Sequence, residues 1–90
     1  MPALETRIVN KLGLHARASA KFVSVAGKFL CHIRVGRTPE SMVDGKSIMS
    51  VMMLAATKDT KIHLATEGEQ EREAMDALLN LINTFFDESE

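Results

Sequence analysis

Apolar and polar residues alternate in three stretches of the chain. From Ala3 to Val9, Leu4, Thr6 and Ile8 face one way and Glu5 and Arg7 the other, which predicts a half-buried strand. Leu30 to Val35 repeats the pattern, with Cys31, Ile33 and Val35 inward and His32 and Arg34 outward. Thr60 to Thr66 does so again, with Ile62, Leu64 and Thr66 on one face and Lys61, His63 and Ala65 on the other. Gly36 to Glu40 contains Gly and Pro and predicts a turn, so a short strand from Ser41 to Val43 completes a hairpin.

Helical spacing governs the remaining segments. Asn10-Lys11-Leu12-Gly13 is a connector that ends in glycine and leads into a helix over Ala16 to Lys28. Ala20, Val23 and Ala26–Gly27 make the expected close-packing face of that helix, with Phe22 and Phe29 helping to close it. Asp44-Gly45-Lys46 introduces a second, short helix over Ile48 to Ala55, with Ser47 where an N-cap belongs. The longest helix runs from Glu69 to Phe86. Its apolar stripe is Ala74, Leu78, Leu81 and Phe85, with Met75 and Ile82, and its first turn carries Glu69 and Glu71, as the helix dipole favours.

The predicted order is therefore β-α-β-β-α-β-α. Clean alternation in the strands means that one sheet face is covered and the other meets water. Three helices on one face of a four-stranded, mainly antiparallel sheet give an α+β fold, a two-layer open-faced β-sandwich built from two βαβ-like halves.

Length and composition narrow the possibilities. With 90 residues, the expectation is one domain spanning 1–90. Cys31 is the only cysteine, so no internal disulfide framework exists, and no Cys/His spacing resembles a zinc site; neither a metal nor a cofactor is expected. No window approaches about 18 consecutive apolar residues, and the start lacks the apolar core of a signal peptide. A cytoplasmic, reducing location and no membrane contact follow as expectations. The net charge of −1 hides a segregation: residues 6–39 hold seven bases and no acid, whereas residues 62–90 hold eight acids and one base, Arg72. Kept apart, the first block makes an anion-attracting face; interleaved, the two blocks cancel. The strands carry no aromatic residue for base stacking, which argues against nucleic acid as a partner.

The unusual segment is Gly13-Leu14-His15-Ala16-Arg17-Ala18-Ser19-Ala20. A histidine precedes the first turn of a helix, an arginine follows two residues later, and no acid is present. A helix start offers unpaired N–H groups and a partial positive charge, and here the backbone of Ala16 and Arg17 is left to an external anion. Arg17 can grip such an anion with a planar, two-pronged donor set. The same positive end favours the neutral, nucleophilic imidazole of His15. Together these residues describe a histidine that can accept a phosphoryl group, with Arg17 as its clamp. A lone histidine beside a helix is more often a cap or surface residue, and a non-catalytic binding module of the same fold would not need it.

The octapeptide resembles the active-site signature of the HPr family, the histidine phosphocarriers of the bacterial phosphotransferase system. A second family pattern is similar at Lys46-Ser47-Ile48-Met49 and at Val51, Leu54 and Ala55. The resemblance spans the whole chain in length and element order. It implies that His15 is phosphorylated through Nδ1, that Arg17 assists, and that the chain is a stoichiometric carrier and not a turnover enzyme alone. It further implies an Enzyme I-type donor charged by phosphoenolpyruvate and an EIIA-type acceptor, with the chain itself a monomer. Ile48, Met49 and Met52 would flank the histidine and dock partners, with Lys21 adding charge. Ser47 stands where Gram-positive relatives carry a regulatory phosphorylation site; from the residues alone it is an N-cap. Gly45-Lys46-Ser47 is also similar to the end of a P-loop, but the required upstream glycine is missing. Ala18 departs from the proline of many relatives, which bears on the stiffness of the helix start and not on its chemistry. Asn10-Lys11-Leu12-Gly13 and the ending Asn83-Thr84-Phe85-Phe86-Asp87-Glu88 are similar to the nitrogen-related branch, NPr, with the sugar-transport branch as the alternative.

Overall fold

The computed structural model describes residues 3–87. Met1, Pro2 and Glu88, which entered the readings of the start and end of the chain, lie outside the described residues. Four strands and three helices follow in the expected order: β1 (Ala3–Arg7), α1 (Ala16–Ala26), β2 (His32–Gly36), β3 (Met42–Asp44), α2 (Ile48–Met53), β4 (Lys61–Glu67) and α3 (Glu71–Asn83), closed by a 3-10 turn at Phe85–Asp87. The sheet order is β1-β4-β2-β3. All three pairings are antiparallel, with Leu4 opposite Leu64, Val35 opposite Leu64 and also opposite Val43. β4 lies between β1 and β2, and β2 lies between β4 and β3, so the β1-α1-β2 and β3-α2-β4 halves interlock as split βαβ units. β4, which opens the acidic block, thus lies between β1 and β2 of the basic block, although Glu67 alone of that block's acids is in the sheet.

Ile33, Val35, Ile62, Leu64 and Thr66 form the covered sheet face, and Ile8, Phe22, Val51, Leu78, Ile82 and Phe86 complete the core above it. Each of the apolar side chains among them contributes about 1.5–3 kcal/mol through burial. Gly45 makes the closest approach possible, because a Cβ there would stand 2.7 Å from Ile33 Cγ2 and 3.3 Å from Phe22 Cε1.

Three expectations need correction. The buried face of α1 is Ala18, Ser19, Phe22 and Ala26; Ala20 and Gly27 are exposed and Val23 is only partly covered. Phe22, the largest side chain on the helix, sets this phase by entering the space beside Gly45. At the other end, the long helix stops at Asn83, and Phe85, Phe86 and Asp87 take left-handed backbone conformations. That reversal buries Phe86 and leaves Phe85 partly exposed, the opposite of the periodic reading. Leu4 faces the helix side, as expected, but is 47% exposed because β1 is an edge strand with a neighbour on one side only.

Candidate functional site

The loop that enters α1 is braced from inside the fold. Gly13 adopts φ +68, and a Cβ on it would lie 2.3 Å from the Ala56 carbonyl oxygen, so the close contact requires glycine. The Leu14 N–H donates to the same carbonyl at 2.8 Å, while the Leu14 side chain is buried. Asn10 Nδ2 donates to the Gly13 carbonyl at 2.9 Å, and Ser19 Oγ donates to the Leu14 carbonyl at 3.1 Å. On the far side, Ala55 takes φ +51 just after α2 and turns the chain so that Ala56 meets the loop.

His15 follows this braced segment with an extended backbone (φ −73, ψ −179) and is itself the N-cap of α1. Its Nδ1 accepts the Arg17 backbone N–H at 3.3 Å. Helix caps are usually hydroxyl, amide or carboxylate oxygens; here an imidazole lone pair takes that position. An accepting Nδ1 places the proton of the neutral ring on Nε2. The lone pair of Nδ1 therefore points at the positive end of α1, where first-turn N–H groups lack intrahelical acceptors. An atom bonded to Nδ1 would stand beside the backbone of Ala16 and Arg17. No acid occupies the first turn of α1. Ala16 and Arg17 are exposed and His15 is half-buried.

The remaining sequence-selected residues fall into two groups. Ile48, Met49 and Met52 lie on α2 with exposures of 40%, 64% and 37%, and Met53 and Leu12 add to the exposed apolar surface. The Leu14 amide is bonded to Ala56, just beyond the C-terminal end of α2, so the histidine loop abuts that end of the helix. Ser47 stands at the opposite end of α2 as its N-cap, with Oγ accepting from the Ser50 N–H at 3.4 Å. Lys21 is tied down: its Nζ donates to the Phe86 carbonyl at 2.6 Å and joins α1 to the C-terminal turn. Among the described residues, no group of three or more His, Cys, Asp and Glu could hold a metal ion. Nor is any described helix long and apolar enough to cross a membrane.

Sequence reasoning passed over the residues that brace the site. Asn10 falls in the predicted connector, Ser19 within the octapeptide, and Ala56 just beyond the predicted second helix. A signal existed for the first two, since Asn and Ser side chains near a helix start are candidates for bonds to neighbouring backbone groups.

Comparison with known proteins bears on this site. A family model described as the PTS HPr component phosphorylation site matches residues 3–84. The phosphocarrier protein HPr of Pseudomonas aeruginosa is 71% identical over 90 residues, covering 100% of both chains. That of Neisseria meningitidis is 55% identical over 83 residues, 92% of each chain. Among solved structures, HPr-C-His from Thermoanaerobacter tengcongensis matches with a TM-score of 0.93 at 40% identity, covering 100% of both chains. An HPr dimer from the same organism matches with a TM-score of 0.76 at 41% identity, over 98% of this chain and 100% of that one.

Proposed function

The chain belongs to the HPr family of phosphocarrier proteins of the phosphotransferase system, and from that premise we propose that Nδ1 of His15 is the atom that carries the phosphoryl group. Such a protein is a carrier within a phosphotransfer relay and not a turnover enzyme by itself. The observation that carries the assignment is the Nδ1 lone pair held at the start of a helix whose first turn has no acid. In the transfer, that lone pair forms the new P–N bond while the bond from phosphorus to the donor breaks, its electron pair leaving with the donor. The Arg17 N–H that bonded Nδ1 is then adjacent to the phosphoryl oxygens, with the Ala16 N–H and the Arg17 guanidinium as further donors. Positioned donors of this kind act chiefly where charge develops in the transition state. The reverse sequence hands the group to the next protein.

The donor is an Enzyme I-type protein charged by phosphoenolpyruvate, and the acceptor is an EIIA-type protein. Ile48, Met49 and Met52 supply the docking surface; exposed methionines suit it because they repack against more than one partner. Residues 1–90 act as one domain and as a monomer in the cytoplasm. Ser47 serves as a helix cap, and its phosphorylation would require a kinase partner. We assign the chain to the nitrogen-related branch on Asn10-Lys11-Leu12-Gly13 and on Asn83 to Glu88. The relatives bear the plain HPr name, which does not separate this branch from sugar transport, the second reading.

One experiment tests the centre of this reading. Incubation with phosphoenolpyruvate and Enzyme I should yield an acid-labile, base-stable phosphate on the wild-type chain and none on His15→Ala, which should still fold, with thermal unfolding lowered only by the loss of one helix cap. Uptake that persists in His15→Ala overturns the assignment. Offering the charged protein a nitrogen-type and a sugar-type EIIA then separates the branches.

A further inference from the structure

We propose that Asn10 and Ser19 are positioning residues for phosphoryl transfer: they hold the carbonyl oxygens of Gly13 and Leu14 turned into the fold, so that the helix start at His15 presents N–H groups and no carbonyl lone pairs to an anion. The inference rests on the assignment of His15 as the phosphoryl acceptor.

Both side chains are fully buried, at 0% exposure. A buried polar side chain is unfavourable unless hydrogen-bonded, and an apolar residue of similar size would serve the core at least as well. Their bonds run to two consecutive carbonyls just before the histidine: Asn10 Nδ2 to Gly13 O at 2.9 Å and Ser19 Oγ to Leu14 O at 3.1 Å. The next carbonyl, that of His15, accepts the Ser19 N–H at 2.9 Å. Three successive carbonyl oxygens are thus drawn toward donors of the protein itself, two of them by side chains rather than by regular helix bonding. The Leu14 N–H bond to Ala56 fixes the same peptide from its other end. A carbonyl oxygen swung outward would bring a partial negative charge against the phosphoryl oxygens and would tilt the peptide that feeds His15. Either change moves Nδ1 away from the Arg17 N–H. A misplacement of about 1 Å at a reacting group can lower a rate by about 10²-fold.

The test uses Asn10→Ala, Ser19→Ala and the double variant. Ser19→Ala is the safeguard on folding, because alanine is the better helix former. With charged Enzyme I as donor and this chain as its substrate, each single variant should lower the kcat of transfer, and the double variant should lower it by about 10²-fold, with KM for the chain unchanged. In the unphosphorylated proteins, the Arg17 amide and His15 Nδ1 resonances should shift. A folded Ser19→Ala protein with unchanged kcat and unmoved resonances overturns the proposal, whatever its unfolding temperature. A rise in KM at constant kcat overturns it in favour of docking. The resonances also separate its failure from failure of the phosphorylation assignment, since they report the histidine geometry in protein that has never met a donor.

Discussion

The two long helices begin in opposite ways. α3 opens from Gln70, a left-handed residue with no side-chain cap, and settles its positive end internally: Glu71 and Glu73 lie in its first turn, and Glu71 Oε1 accepts the Gly68 N–H at 3.0 Å. That bond holds the Glu71 carboxyl below its ordinary range. α1 has no first-turn acid and is capped by the imidazole of His15, while the carbonyls leading into it bond inward. One end is neutralised by its own residues; the other is braced in backbone position with its charge left for a group from outside. The lesson is that a functional helix start is marked by what its local sequence omits as much as by the residues it contains.

The comparison can be broken at three points beyond the loss of His15 itself. Arg17→Lys keeps the charge of α1 but replaces a planar, two-pronged donor with a compact ammonium. Losing one well-placed donor typically lowers rate by about 10²–10³-fold, and a clear fall in transfer is expected with a smaller effect on donor binding. Rapid quench and calorimetry on the same samples measure the two; equal rates for Lys and Arg would reduce Arg17 to diffuse charge. Ala16→Glu makes the start of α1 resemble that of α3. The added acid should stabilise the fold by about 0.3–1 kcal/mol through the helix dipole, seen as a higher urea midpoint. It should also repel the incoming phosphoryl group by about 1 kcal/mol, roughly fivefold in transfer rate. A more stable protein with undiminished transfer would show that the phosphoryl group does not lie at this helix start.

The smallest effect belongs to Glu71→Gln, which removes the internal anion of α3. Because the folded Glu71 carboxyl lies below its ordinary value of 4.5, its contribution is complete above about that pH and is lost as pH falls through the lowered folded value. The variant should therefore lose less stability on acidification below about pH 4.5, with transfer at neutral pH unchanged. Urea unfolding across the acid range checks this; an identical acid profile in the variant would mean that another carboxylate sets it.

Legibility differed between the elements for physical reasons. The strands were readable because β side chains alternate strictly: Ile33 and Val35 in β2 and Ile62, Leu64 and Thr66 in β4 fall on the buried face. Gly13 and His15 were readable because a helix start after glycine is a local event, and the absence of acids there is visible in the letters. The phase of α1 was less so. Small residues occupy both of its faces, and only the cavity beside Ile33 and Gly45 decides that Phe22 turns inward and takes Ala18 and Ala26 with it.

By itself, then, the sequence determined the order of elements, the two-layer class and the placement of a histidine at an acid-free helix start, since each depends on periodicity or on contacts within a few residues. Tertiary structure alone decided the rest. It brought Ala56 against Gly13 and Leu14 across more than forty positions of chain, diverted Lys21 to the Phe86 carbonyl and buried Phe86 in place of Phe85. These pairings join residues whose separation along the chain carries no periodic signal. Close packing and the demand that buried polar groups find partners select them, and both act only once the layers have met.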